Sequence, residues 1–99
     1  MTLEQLRVFV AVAEREHMTK AAADLHLAQS AVSATVSALE AEHDIRLFDR
    51  IGRNIRLTAE GQCLLNEARA VLVRAEQARH ALLACRDVPG ARAAPNRSP

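Results

Sequence analysis

The chain has 99 residues, enough for one small domain with a modest buried fraction, and its 49% hydrophobic content comes mostly from Ala, Leu and Val, with Phe9 and Phe48 the only aromatics. The formal net charge is +1, no apolar run approaches the roughly 18–20 residues of a membrane span, and the opening residues are amphipathic, unlike a secretory signal. Cys63 and Cys85, without CxxC spacing, read as reduced structural thiols of a cytoplasmic protein.

Few glycines and prolines precede residue 88, so a mainly helical fold is expected. A first helix is expected from about Leu3 to Glu14, capped by Thr2, with Leu3, Leu6, Phe9, Val10 and Ala13 on its apolar face. Residues 19–42 then read as two helices, roughly 19–25 and 29–42, joined by a tight three-residue turn. Thr19 is the expected N-cap of the shorter one, since its hydroxyl can accept from a first-turn amide. Ala21, Ala22, Ala23 and Leu25 are strong helix formers, and the alanines let a partner helix cross closely. In the longer helix Val32, Val36 and Leu39 fall at i, i+4 and i+7, one apolar stripe. The opposite face, Ser30, Ala34, Ser37 and Ala41, is small throughout. A helix packed on one side and smooth on the other fits a DNA major groove, which is helix-turn-helix docking geometry.

At His43-Asp44 the periodicity breaks, and Asp44 is expected to close the helix in a left-handed or turn conformation. Ile45, Leu47 and Phe48 return to the core. Residues 49–57 alternate polar and apolar around Gly52 and Asn54, the pattern of a β-hairpin wing with an arginine-bearing tip. A last helix is expected from Thr58 to about Arg86, about 43 Å long at 1.5 Å per residue. Its Leu64, Ala68, Val71, Ala75, Ala78, Leu82 and Cys85 alternate spacings of four and three, a heptad seam read as a dimer interface. Leu65, Leu72 and Leu83 widen one edge, so part of the helix also packs on its own domain; the competing reading is an amphipathic helix folded back entirely on the core. Residues 87–99, DVPGARAAPNRSP, have no periodicity and are expected to be a disordered tail. The domain plan is a winged unit over 1–57, a linker or dimerisation helix over 58–86, and the tail.

Charge is unevenly spread. Residues 1–44 hold three basic groups against seven acidic ones, whereas residues 45–61 hold Arg46, Arg50, Arg53 and Arg56 against Asp49 and Glu60. Residues 62–99 hold six arginines against Glu67, Glu76 and Asp87. Clustered positive charge beyond the second helix of the pair is the footprint of a phosphate-binding surface. His17, His26, His43 and His80 have no metal-ligand spacing with the cysteines and are expected at surface or turn positions. Glu40 and Glu42 are expected to face solvent or pair with Arg46. With no Ser/His/Asp set, no paired carboxylates in a cleft and no Gly-rich phosphate loop, neither catalysis, cofactor nor metal is expected.

Three blocks, LEQLRVFVAVAE, MTKAAADLHLAQSAVSATVSALE and IRLFDRIGRNIRLTAEG, stand in an order and spacing that resembles the N-terminal winged helix-turn-helix and linker helix of LysR-type transcriptional regulators, over about residues 2–86. The resemblance implies a cytoplasmic, nucleoid-associated homodimer whose linker helices pair in antiparallel fashion, each subunit placing one recognition helix in half of an interrupted palindrome of double-stranded DNA. It also implies a higher oligomer in full-length form, and a small-molecule effector only where a C-terminal sensor domain exists in the parent protein. A piece of a longer regulator is therefore expected.

Within that resemblance Gln29 matches the glutamine at the start of the recognition helix, where an amide reads adenine or bonds a phosphate, and Ser33 matches a contacting small polar position. Ala34 stands where arginine is common, Ser30 where proline is common and Asp44 where glycine is usual. Lys and Arg are absent from Gln29 to Glu42, so bidentate arginine–guanine readout cannot come from this helix. Base reading is expected from Gln29, Ser30 and Ser33, with Ala34 against a thymine methyl and Ser37 on the same DNA-binding face. Arg53 and Arg56 are expected on phosphate or in the minor groove, and Arg50 either joins them or pairs with an acidic core neighbour. Thr19 and Lys20 are expected on phosphate, because the first helix of the pair crosses the backbone. The acidic N-terminal half and the alanine at position 34 leave an alternative, a protein–protein module that heterodimerises with a full-length regulator without binding DNA productively.

Overall fold

In the computed structural model, which describes residues 1–52 and 54–86, the elements run α1 (Leu3–Arg15), α2 (Met18–Leu25), α3 (Gln29–His43), β1 (Phe48–Ile51), β2 (Asn54–Leu57) and α4 (Ala59–Arg86). The expected tail and Arg53 lie outside the described residues. α1 starts with a capping box: the Gln5 amide donates to Thr2 Oγ1 at 3.1 Å and the Thr2 amide donates to Gln5 Oε1 at 2.9 Å. It packs against α2, α3 and α4, so it buries more than one stripe. Leu6, Val8, Phe9, Val12 and Ala13 are buried, whereas Leu3, expected on the apolar face, is 42% exposed and Val10 is half-buried.

α2 begins at Met18, whose buried side chain draws the first turn one residue ahead of the expected start. The cap is therefore His17, whose Nδ1 accepts from the Lys20 amide at 3.1 Å, and not Thr19. Ala21 and Ala22 are buried, their size permitting close contact with α1 and α3. His26 closes α2 in the left-handed region (φ 57), and α3 follows from an extended Ala28 that gives no side-chain cap. Val32, Val36 and Leu39 form the buried stripe of α3, as their spacing indicates. Asp44 ends it at φ 52, ψ 46, the left-handed closure expected of it. Because a Cβ is disfavoured there, Asp44→Gly is expected to stabilise the chain by about 0.5–1 kcal/mol in urea unfolding, the relief of strain exceeding the added backbone entropy; an unchanged or lower midpoint contradicts this.

The hairpin pairs Phe48 with Leu57, Arg50 with Ile55 and Ile51 with Asn54, turning at Gly52 with φ +61. Alternation puts Phe48, Arg50, Ile55 and Leu57 on one side. Phe48 is buried beside Phe9, ring centroids 5.6 Å apart, and Ile55 is buried with it. The base is held by hydrogen bonds: Glu40 Oε2 accepts from the Leu47 and Phe48 amides at 2.7 and 3.2 Å. Glu40 is thus half-buried and committed to backbone, not to Arg46 or solvent, while Glu42 meets the Met1 ammonium at 3.2 Å.

α4 opens on Thr58, whose Oγ1 accepts from the Gly61 amide at 2.9 Å and donates to Arg46 O at 2.8 Å, while the Thr58 amide donates to Leu47 O at 3.0 Å. Leu65 is buried, and an Arg69–Glu14 ion pair at 3.0 Å adds a tie between α4 and α1. Ala68, 1% exposed, is spent in the monomer's own core; this corrects its placement in a seam open to a partner. Further along, Val71, Val73 and Leu82 are 41%, 57% and 69% exposed. Cys63 and Cys85 are exposed free thiols. No helix among the described residues is long and apolar enough to cross a membrane.

Candidate nucleic-acid interface

The outer face of α3 is bare because its large apolar residues, Val32, Val36 and Leu39, are turned inward. Gln29, Ser30, Ala34, Ser37 and Ala41 are exposed, and Ser33 is half-buried at the edge of the face. At its start, Thr19 Oγ1 donates to Gln29 Oε1 at 2.9 Å. That bond orients the amide: the oxygen is engaged by α2, with one lone pair remaining, and the NH2 group is left to donate outward. Thr19 is therefore tied to Gln29 and is not the cap of its helix.

Arg50 comes from the body-facing side of β1 and shares a small cleft of about 110 Å³ with Glu16, His17, Thr19 and Gln29. A second cleft, lined by Glu16, Ile51, Asn54, Ile55 and Arg56, adjoins it through Glu16 and Ile55. The structure thus gathers Thr19, Gln29 and Arg50 at one spot, with Arg56 next to it on β2. Lys20 is exposed on the first turn of α2. Arg53 lies outside the described residues.

Ion pairing sorts the cations. Arg7 pairs with Glu4, Arg15 with Asp24 at 2.8 Å, Arg69 with Glu14, and Arg79 with Glu76. The hydrogen bond from Arg79 holds the Glu76 carboxyl below its usual range, and the same bond raises the Arg79 pKa, so that pair stays ionised and committed to α4. Among the described residues Lys20, Arg46, Arg50, Arg56 and Arg74 have no acidic partner within 4.0 Å, so the alternative of an ion-paired Arg50 is not what the structure shows; three of the five, Lys20, Arg50 and Arg56, lie on α2 and the wing. Unpaired cations therefore flank the start of α3, the part of a recognition helix that meets base edges. Among the described residues no group of three or more His, Cys, Asp or Glu side chains could hold a metal ion.

Two residues of this region carried no signal of their own in the sequence. His17 caps α2, and Glu16, left-handed at φ 50, sends its carboxylate to the Leu57 amide 41 residues away. A histidine and a glutamate ahead of a helix look like ordinary surface residues until the hairpin is placed against them.

Three helices, with the second and third joined by residues 26–28 and a two-stranded hairpin at their flank, define a winged helix-turn-helix protein. The chain belongs to the LysR family of bacterial regulatory helix-turn-helix proteins, whose family model matches residues 3–62. It is 46% identical over 82 residues to an uncharacterized HTH-type transcriptional regulator from the ibpB-leuC intergenic region of Azotobacter vinelandii, covering 83% of this chain and 57% of that protein. It is 40% identical over 88 residues to the transcriptional regulator CfxR of Cupriavidus necator, covering 89% of this chain and 28% of that one. The chain thus spans about three fifths of the first relative and little more than a quarter of the second. Among solved structures it is similar to BenM_DBD in complex with catB site 1 DNA, with TM-score 0.85 and 34% identity over 89% of this chain and 98% of that one. The CbnR_DBD–DNA complex matches at TM-score 0.80 and 38% identity, over 85% and 97%.

Proposed function

We propose that this chain binds double-stranded DNA sequence-specifically, as the reading part of a dimeric transcriptional regulator working in the bacterial cytoplasm. The observation that carries the reading is the juxtaposition at the start of α3: an amide oriented by Thr19, an unpaired Arg50 beside it, and a smooth small face running on from them. The similarity to two domains solved on DNA favours this over a protein–protein module.

In this reading α3 lies in the major groove. Gln29 donates to a base edge or phosphate, Ser30, Ser33 and Ser37 supply hydroxyls, and Ala34 meets a thymine methyl. Thr19 and Lys20 on α2, with Arg50, Arg53 and Arg56 of the wing, take phosphates or enter the minor groove. The exposed Val71, Ala78, Leu82 and Cys85, with half-buried Leu64 and Ala75, form the α4 face that meets a second copy, so that two motifs address an interrupted palindrome. Any effector or higher assembly belongs to further domains of a full-length regulator.

The test is selection of duplexes from a random library, followed by binding at several salt concentrations. Arg56→Ala should weaken every sequence about equally and reduce the salt slope by about one unit. Gln29→Ala should relax preference at one position by about 1–3 kcal/mol. No enrichment by the wild-type chain at low salt, with a dimer present, would overturn the reading in favour of an interaction module.

A further inference from the structure

The wing is fastened at its base from two sides. Glu40 of α3 grips the Leu47 and Phe48 amides where β1 begins, and Glu16 accepts from the Leu57 amide at 3.0 Å where β2 ends. Glu16 stands at the corner between α1 and α2, with its own amide bonded to Val12 O at 2.7 Å and its backbone in the left-handed region. Its neighbour His17 caps α2, whose Thr19 in turn orients Gln29. Glu16 also lines both clefts, the one holding Arg50 and the one holding Arg56, yet forms no ion pair with a described cation.

We propose that Glu16 is a positioning residue for DNA binding, clamping β2 to the α1–α2 corner through the Leu57 amide and so fixing where Arg50 and Arg56 meet DNA. The proposal rests on the DNA-binding reading above. Two effects of this carboxylate oppose each other. As a bare negative charge between two cationic positions it repels phosphate, so its removal should tighten binding to every duplex. As a clamp it holds the hairpin in register with α3, so its removal should loosen binding to the preferred duplex.

Glu16→Gly and Glu16→Gln separate these roles. Glycine accommodates the left-handed backbone, so that variant folds at least as well as the parent, while glutamine keeps an acceptor for the Leu57 amide without the charge. The probes are a duplex selected by the wild-type chain from a random library and a scrambled duplex of the same composition. For Glu16→Gly we expect an unchanged or raised Tm, Leu57 amide exchange about tenfold faster, and binding to the selected duplex weakened about 3- to 10-fold, with a smaller loss on the scrambled one. Glu16→Gln should restore slow exchange and bind the selected duplex at least as well as the parent. Equal or tighter binding of the selected duplex by Glu16→Gly, or unchanged Leu57 exchange, overturns the proposal. A wild-type chain that enriches no duplex sinks the DNA-binding reading itself, and Glu16 as a DNA-positioning residue with it, even where Leu57 exchange still registers the contact.

Discussion

Replacing Gly61 by alanine is expected to destabilise the chain by about 3 kcal/mol, the upper part of the range for overpacking a tight contact. A Cβ at this position would stand 2.3 Å from Leu47 O and 2.7 Å from Leu57 Cδ1. The carbonyl is held in place, since Leu47 O accepts from the Thr58 amide and shares the Thr58 hydroxyl proton with Arg46 O, and the Leu47 amide is gripped by Glu40. Relief must come from sliding α4 off the base of the wing, which also disturbs the core in which Leu65 and Phe48 are buried. Urea unfolding followed by circular dichroism checks this. Gly52→Ala is the control: it meets nothing within 4 Å and bears only the left-handed backbone (φ +61), so about 1 kcal/mol is expected there. Equal midpoints for Gly61→Ala and the parent would falsify the contact.

Leu82→Glu is expected to convert the proposed dimer to monomer and to lower affinity for a selected palindromic duplex about 100-fold, the loss of avidity when two linked motifs become one. Leu82 is 69% exposed, so the monomer's own fold should keep its Tm. The matching control is Val73→Glu. Val73 is also exposed but lies nine residues away, half a turn round the helix at about 3.6 residues per turn, on the side opposite Leu82. Sedimentation and binding to half-site and full-site duplexes distinguish them. A dimeric Leu82→Glu, or a monomeric Val73→Glu, puts the interface on another face of α4.

The elements were legible wherever a period was long enough to count. Val32, Val36 and Leu39 announced α3, the alternation around Gly52 announced the hairpin, and the unbroken four-three spacing announced α4. Asp44 was readable as a closing residue because the stripe stopped there. Reading failed where tertiary contacts choose between locally equivalent options. Thr19 and His17 can both cap a helix; burial of Met18 decides for His17, and nothing nearby in sequence signals that burial. Val8 and Val12 fall outside the single stripe that periodicity reveals, because a helix covered from three directions buries more than one stripe. Ala68 fits a heptad and a core contact equally well, and burial in the core of its own domain claims it. Helix phase names Ser30, Ala34 and Ser37 on the proposed DNA face, while Gln29 and Ser33 come from the resemblance to LysR-type regulators. Neither names Glu16 or Glu40, because a carboxylate that ties two distant backbone segments has the same local sequence as one in water.

The absence of lysine and arginine between Gln29 and Glu42 has a consequence for how such a domain can diverge. Salt-sensitive attraction to a polyanion scales with the number of phosphates neutralised, and α3 contributes none to that count. In the proposed mode of binding, exchanges among Ser30, Ser33, Ala34 and Ser37 would change which base edges are met and leave the displaced counterions as they were. Sequence preference of the proposed interface would then be free to drift while the electrostatic part of its hold on the polymer stayed constant.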